Sequence, residues 1–137
     1  MRNSAPSAKD QTRHHPEGKL CHHWHEHRLT CDEYDSLRAR AAGRCEICGT
    51  PEAETGGKRL VVDHFSGGDF YLVRGLLCDR CNAVMSCLDG RKRWGANQRW
   101  EPAARVYQAM SWHQPTDEQW QRIGRIQAAY RRRLYRA

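Results

Sequence analysis

Cys45-Glu46-Ile47-Cys48, then Val61-Val62-Asp63-His64, then Val73-Arg74-Gly75-Leu76-Leu77-Cys78-Asp79-Arg80-Cys81-Asn82: these three segments decide how the chain is read. They hold two Cys-x2-Cys pairs separated by 29 residues, an Asp-His pair between them, and an Asn directly after the last Cys. Paired cysteines at this spacing point to a tetrahedral metal site. Cys45, Cys48, Cys78 and Cys81 are the expected zinc ligands. Four thiolates close the coordination sphere, so this zinc is expected to be structural.

The residues around the cysteines predict a small α+β unit. Cys45 and Cys48 form a tight knuckle with Gly49 just after it. Lys58 to Asp63 is β-branched enough for a strand. Phe65-Ser66-Gly67-Gly68-Asp69 signals a turn and Phe70 to Val73 a returning strand, which Arg74-Gly75 breaks. The second knuckle opens a helix through Asn82, Val84, Met85 and Leu88, ended by Asp89-Gly90. The order is strand, strand, helix, with one zinc pinning the loop before the hairpin to the start of the helix.

That arrangement presents three polar groups. Asp63 is a hard oxygen ligand suited to Mg²⁺, and Asn82 offers a neutral amide oxygen. Two protein oxygens leave positions open for water and phosphate. His64 titrates near neutrality and can take a proton from water. Adjacent strand residues point to opposite faces, so Asp63 and His64 can share one phosphate only if the strand bends or ends there. An Asp-His pair alone is a weak motif; the zinc-clamped setting gives it weight. Arg74 has two open uses: a bidentate grip on a phosphate, or pairing with a carboxylate that secures the hairpin.

Length and composition bound the rest. The 137 residues suit one domain with an appended tail or subdomain, and the core will be modest for want of large aliphatics. A formal charge of +7 favours a polyanionic partner, most commonly nucleic acid. Seven cysteines is an odd number, and no signal peptide or membrane span is visible. A cytoplasmic protein that binds no membrane is expected, in a compartment where such cysteines take metal.

The flanks are read by composition and capping. Residues 1–19 look like a disordered basic tail. Residues 20–43 form an N-terminal segment and helix. Leu20 to Cys31 holds four His and two Cys. This run could be a second metal site, but adjacent His residues on a short peptide rarely converge. Cys21, Cys31 and Cys87 lack paired spacing and are left out of the zinc assignment. Thr30-Cys31-Asp32-Glu33 is a capping box, with Leu29 able to staple against Tyr34, and Gly43 stops the helix. Its stripe of Tyr34, Leu37 and Ala41 is expected to pack on the zinc module. Residues 44–90 form the core module, and residues 91–137 a basic helical region. Arg91, Lys92 and Arg93 interleave with Trp94 as candidate phosphate contacts. Trp100 is assigned to the core. Pro102 starts a short helix from Ala103 to Met110. Thr116-Asp117-Glu118-Gln119 is a second capping box, opening a helix to near Leu134 with Trp120, Ile123, Ile126 or Gln127, Tyr130 and Leu134 on one side.

The pattern Cys-x2-Cys-Gly, Val-Asp-His, Val-Arg-Gly-Leu-Leu-Cys-x2-Cys-Asn resembles the recombination endonuclease VII family of phage and bacteria, which belongs to the ββα-metal (His-Me finger, or HNH) nucleases. The resemblance covers about residues 29 to 88, including the Leu-Thr-x-x-x-Tyr lead-in. It implies zinc on Cys45, Cys48, Cys78 and Cys81, Mg²⁺ (with Mn²⁺ as substitute) on Asp63 and Asn82, and His64 as general base. It also implies branched or distorted DNA as substrate, cut to leave a 5′-phosphate and a 3′-hydroxyl, and often a homodimer. The chain departs from the family pattern at Ser66, where a second His is usual, and in a hairpin lengthened by Gly-Gly-Asp-Phe-Tyr. The competing expectation is therefore a weakly active or inactive zinc-bound DNA-binding module of the same fold.

Overall fold

The computed structural model describes residues 6–15 and 17–136. Of the segment whose composition predicts a tail, residues 1–5 and 16 lie outside the described residues. The chain divides into two compact units, Met1–Ala42 and Gly43–Ala137. Among the described residues five α-helices and one two-stranded antiparallel sheet make an α+β protein.

In the first unit, helices α1 (His22–His27) and α2 (Cys31–Ala41) follow a short 3-10 turn at Ala8–Asp10. The capping box forms: Glu33 N–H donates to the Thr30 hydroxyl at 3.0 Å, and Thr30 N–H to the Glu33 carboxylate at 3.0 Å. The helix ends at Ala41, two residues before Gly43, with Ala42 left-handed as its C-cap. Cys31, Tyr34, Leu37 and Ala41 are its buried side chains. Polar contacts hold the preceding segment on this helix. Cys31 N–H donates to the Gln11 side chain at 2.6 Å, and Arg13 meets Asp32 and Asp35 at 2.9 and 2.6 Å. Composition misses such order because the segment buries Gln11 and uses ion pairs in place of apolar side chains.

In the second unit, strands β1 (Val61–Gly67) and β2 (Phe70–Leu77) form a hairpin followed by α3 (Asp79–Leu88), then α4 (Glu101–Ala109) and α5 (Asp117–Leu134). The strand boundaries differ from expectation. β1 runs on through Phe65 and Ser66 to Gly67, leaving a two-residue turn at Gly68-Asp69. Buried Phe65 explains the extension, since it packs with Leu72 and Ile123 against Phe70, Trp120 and Ile126. Arg74-Gly75 does not break β2. Asp63 pairs with Gly75 and His64 with Val73, so Arg74 is the extra residue of a β-bulge.

The far edge of β2 is covered. Trp112 N–H donates to the Arg74 carbonyl at 2.9 Å and His113 N–H to the Val73 carbonyl at 3.0 Å, while Val73 N–H reaches His113 Nδ1 at 2.9 Å. These bonds occupy an edge that would otherwise expose backbone donors and acceptors. Helix α4 starts at Glu101, two residues earlier than expected, with Pro102 in its first turn. Trp94 is buried, whereas Trp100, assigned to the core from sequence, is only half-buried and carries Arg80 over its ring at 4.7 Å. The second capping box forms at Thr116 and Gln119. Of the two alternatives for the inner face of α5, Gln127 is buried and Ile126 is partly buried.

Gly90 follows α3 with φ +79°, and a Cβ there would sit 2.6 Å from Arg131 N and 2.7 Å from the Gln127 carbonyl, both backbone atoms of α5. Gly90→Ala is expected to lower stability by about 1–3 kcal/mol through strain and overpacking. A urea midpoint equal to wild type would contradict this close approach of α5.

Candidate active site and metal centre

The first knuckle and the start of α3 bring together the Sγ atoms of Cys45, Cys48, Cys78 and Cys81, all within 4.8 Å of one another. Cys48 and Cys78 Sγ lie 3.9 Å apart. Ligands about 2.3 Å from a tetrahedral zinc have edges of about 3.8 Å, so the set can hold that ion. Hydrogen bonding from Cys81 pushes the Cys45 thiol down to about 4, and the same bond raises Cys81. The cluster thus favours an anionic sulfur. Glu46, inside the knuckle, docks it on β2: its N–H donates to the Leu76 carbonyl at 3.1 Å, and its carboxylate accepts from Leu76 N–H at 2.7 Å. Gly75 lets this happen, because a Cβ there would meet the Glu46 carboxylate and stand 2.8 Å from the Tyr107 hydroxyl.

Beside the knuckles a cleft of about 370 Å³ is lined by Val62, Asp63, His64, Ser66, Asn82, Ser86, Asp89 and Arg91. The three polar groups singled out in the sequence therefore share one cleft. The strand does not end at His64, as the sequence reading allowed; the bulge opposite supplies the irregularity. His64 stacks on Tyr71 with ring centroids 4.8 Å apart. Burial lowers the His64 pKa, which keeps the ring in its neutral, proton-accepting form at pH 7. Asn82 is exposed in the first turn of α3.

Behind the cleft lies Arg74, 0% exposed. Its Nε and Nη2 donate to the two Asp63 oxygens at 2.8 and 3.1 Å, and Nη1 and Nη2 to the two Asp89 oxygens at 2.8 and 2.9 Å. Gln108 Oε1 and the His64 carbonyl accept further bonds at 2.9 and 3.3 Å. All five guanidinium N–H groups are committed. Burial opposes the charge, but Asp63 and Asp89 outweigh it and raise the Arg74 pKa. The candidate DNA contact at Arg74 is thereby corrected: of its two open uses, this arginine takes the carboxylate pairing.

Tyr107, Gln108, Asp89 and Gln127 were not singled out as site residues in the sequence. Tyr107 donates to Asp63 Oδ2 at 2.9 Å, and burial together with Asp63 raises its pKa, so it stays a neutral donor. Gln127 donates to Asp89 Oδ1 at 3.0 Å. The Arg74 network leaves two formal negative charges against one positive, a residue of charge that a cation in the cleft would offset. The Asp63 carboxylate accepts three bonds from described residues and has about four acceptor sites, so Oδ1 can still serve a metal. The donor set fits a hard divalent cation.

Arg91, on the same cleft, donates to the Ser66 carbonyl and lies 5.0 Å over the Tyr130 ring. Lys92 is exposed. Arg93 is engaged with the end of α5, donating to the Leu134 carbonyl at 3.1 Å and covering the Tyr135 ring at 4.6 Å.

Residues 19–99, more than half of the chain, match the family model for recombination endonuclease VII. No curated protein and no solved structure matches.

Replacing Arg74 by Met should cost about 3–5 kcal/mol, because two buried carboxylates lose their partner. Tyr107→Phe removes one neutral donor and should cost about 1–3 kcal/mol. Chemical denaturation of both variants checks the ranking; equal costs would contradict the central place given to Arg74.

Proposed function

The chain belongs to the recombination endonuclease VII family, and from that premise we propose that it is a Mg²⁺-dependent DNA endonuclease of the ββα-metal (HNH) type, structurally clamped by zinc. The observation that carries this reading is the cleft that Asp63, His64 and Asn82 line together, with Asp63 clamped from behind by Arg74. The family supports DNA as the substrate class. The formal charge of +7 supports the same partner. Branched or otherwise distorted DNA is the proposed preferred form, bound through shape and phosphate contacts.

Zinc on Cys45, Cys48, Cys78 and Cys81 would lock the loop before the hairpin to the start of α3 and so fix the cleft. Asp63 and Asn82 would hold Mg²⁺, or Mn²⁺ in its place, which would act as a Lewis acid on a phosphoryl oxygen and the departing 3′ oxygen. A neutral ring nitrogen of His64 takes the proton from the attacking water. The water oxygen bonds to phosphorus as the P–O3′ bond breaks, leaving a 5′-phosphate. The 3′ oxygen takes its proton from solvent. Arg91 faces the phosphate from the rim of the cleft, and Lys92 contributes to the same basic edge. Ser66 stands in the cleft where the resemblance expects a second His, so its hydroxyl is the group available there. Cutting both strands of a junction calls for two clefts, so a homodimer is part of the proposal. Unpaired thiols of this kind fit a reducing compartment such as the cytoplasm.

The test is cleavage of supercoiled plasmid and a synthetic four-way junction by zinc-loaded protein. Wild type should cut with Mg²⁺ and stop with EDTA, and His64→Ala should lose about 10²–10⁴-fold in rate with its zinc content unchanged. Folded, zinc-loaded wild type that cuts in neither Mg²⁺ nor Mn²⁺, yet still binds DNA, would establish the inactive binding module instead.

A further inference from the structure

The first unit contains a second cluster of soft ligands. We propose that His14, Cys21, His23 and Cys31 hold a second structural zinc ion. One ligand atom from each lies within 4.8 Å of the others. Four of the edges are 3.0 Å from His14 Nδ1 to His23 Nε2, and 3.9 Å for each of Cys21 Sγ to Cys31 Sγ, Cys21 Sγ to His14 Nδ1, and Cys31 Sγ to His23 Nε2. Nitrogen and sulfur ligands about 2.0–2.3 Å from a tetrahedral zinc have edges of about 3.3–3.8 Å, and these four distances bracket that range.

The outer bonds of the two imidazoles point the same way. His14 Nε2 meets the Asp35 carboxylate at 2.6 Å, and His23 Nδ1 meets the Leu29 carbonyl at 2.8 Å. Both partners only accept, so each of these nitrogens carries the proton. In the neutral tautomers the two inner nitrogens then face each other as lone pairs 3.0 Å apart. Two lone pairs at that distance need either a proton on one ring or a metal ion between them, and the two cysteine sulfurs beside them select the metal. A carboxylate or carbonyl on the far nitrogen is also the usual outer partner of a zinc-bound histidine. The two sulfurs beside them make zinc the natural occupant. His14 N–H donates to Cys21 Sγ at 3.3 Å, a bond that supports a thiolate.

Local folding explains why these four converge. Cys21 caps α1, His23 lies in its first turn, and Arg28 in the left-handed region (φ 54°) turns the chain so that Cys31 opens α2 beside them. Of the four His between Leu20 and Cys31, only His23 is buried. The fourth ligand, His14, comes from outside that run and outside the family match at residues 19–99. Tyr34 stacks on His23 with centroids 4.4 Å apart and meets the His14 ring at 5.3 Å, closing one side of the cluster. Four protein ligands leave no open position, so this zinc is a staple. A unit of 42 residues whose buried aliphatics, among the described residues, are Leu29, Leu37 and Ala41 needs one.

The experiment is native mass spectrometry and zinc X-ray absorption on the full chain, purified with zinc under reducing conditions. The expected result is two zinc ions per chain with an average shell of three sulfurs and one nitrogen. His14→Ala and Cys21→Ser should each leave one zinc with an all-sulfur shell. One zinc per chain in wild type, an all-sulfur average shell, or a Cys21–Cys31 disulfide read as a loss of two mass units would overturn the proposal, whatever the variants do.

Discussion

The second unit turns on one buried cation. Arg74 sits where neither water nor solvent ions can screen it, and two carboxylates answer its charge from opposite ends of the β-β-α element. Asp63 belongs to β1 and Asp89 caps α3, so a single guanidinium ties strand and helix together at the floor of the cleft. A planar fork with five donors can do this; an ammonium group cannot satisfy both carboxylates in fixed orientation. A buried ion network is not by itself a source of stability, since desolvation offsets much of the attraction. What it provides here is orientation, because Asp63 can present its remaining acceptor site to the cleft in one geometry only.

The elements that complete this network lie beyond the matched segment. Tyr107 and Gln108 come from α4 and Gln127 from α5, whereas the family match ends at residue 99. The C-terminal helices therefore do more than add positive charge. They supply neutral donors and acceptors that satisfy the carboxylates and the guanidinium, and their backbone reaches Gly90 closely enough to exclude a side chain there. Arginines on the same helices bond to backbone as well. Arg131 donates to the Leu88 carbonyl at 3.1 Å at the end of α3. Docking and charge thus share one helix, with Ile123 and Gln127 inward and Arg122, Arg125 and Arg132 exposed.

The sequence made much of this legible, and the reasons it fell short are physical. Both capping boxes were readable because a Thr and a Glu or Gln three residues apart have one local use. The four-cysteine cluster was readable because its spacing is short and paired. The extension of β1 through Phe65 was hidden by Gly67 and Gly68, which make the turn signal start at Phe65, three residues before the observed turn at Gly68. The bulge at Arg74 was hidden because a Gly beside an Arg looks like a strand break, and only the register distinguishes the two. The role of Gln127 was invisible, since its partner Asp89 lies 38 residues away. The run from Leu20 to Cys31 was open to a metal reading, but the particular set His14, Cys21, His23 and Cys31 was not legible, because its ligands follow no repeat spacing and tertiary folding brings them together.

The central claim is that the buried Arg74 network holds Asp63 so that it can bind a divalent cation with Asn82. A Mn²⁺ titration of the zinc-loaded protein, followed by electron paramagnetic resonance in the absence of DNA, tests it most directly. The account predicts one saturable site that disappears in Asp63→Asn and weakens in Asn82→Ala, while zinc content and circular dichroism stay unchanged. A protein with no saturable site, or one whose Mn²⁺ binding is the same in Asp63→Asn as in wild type, would contradict it.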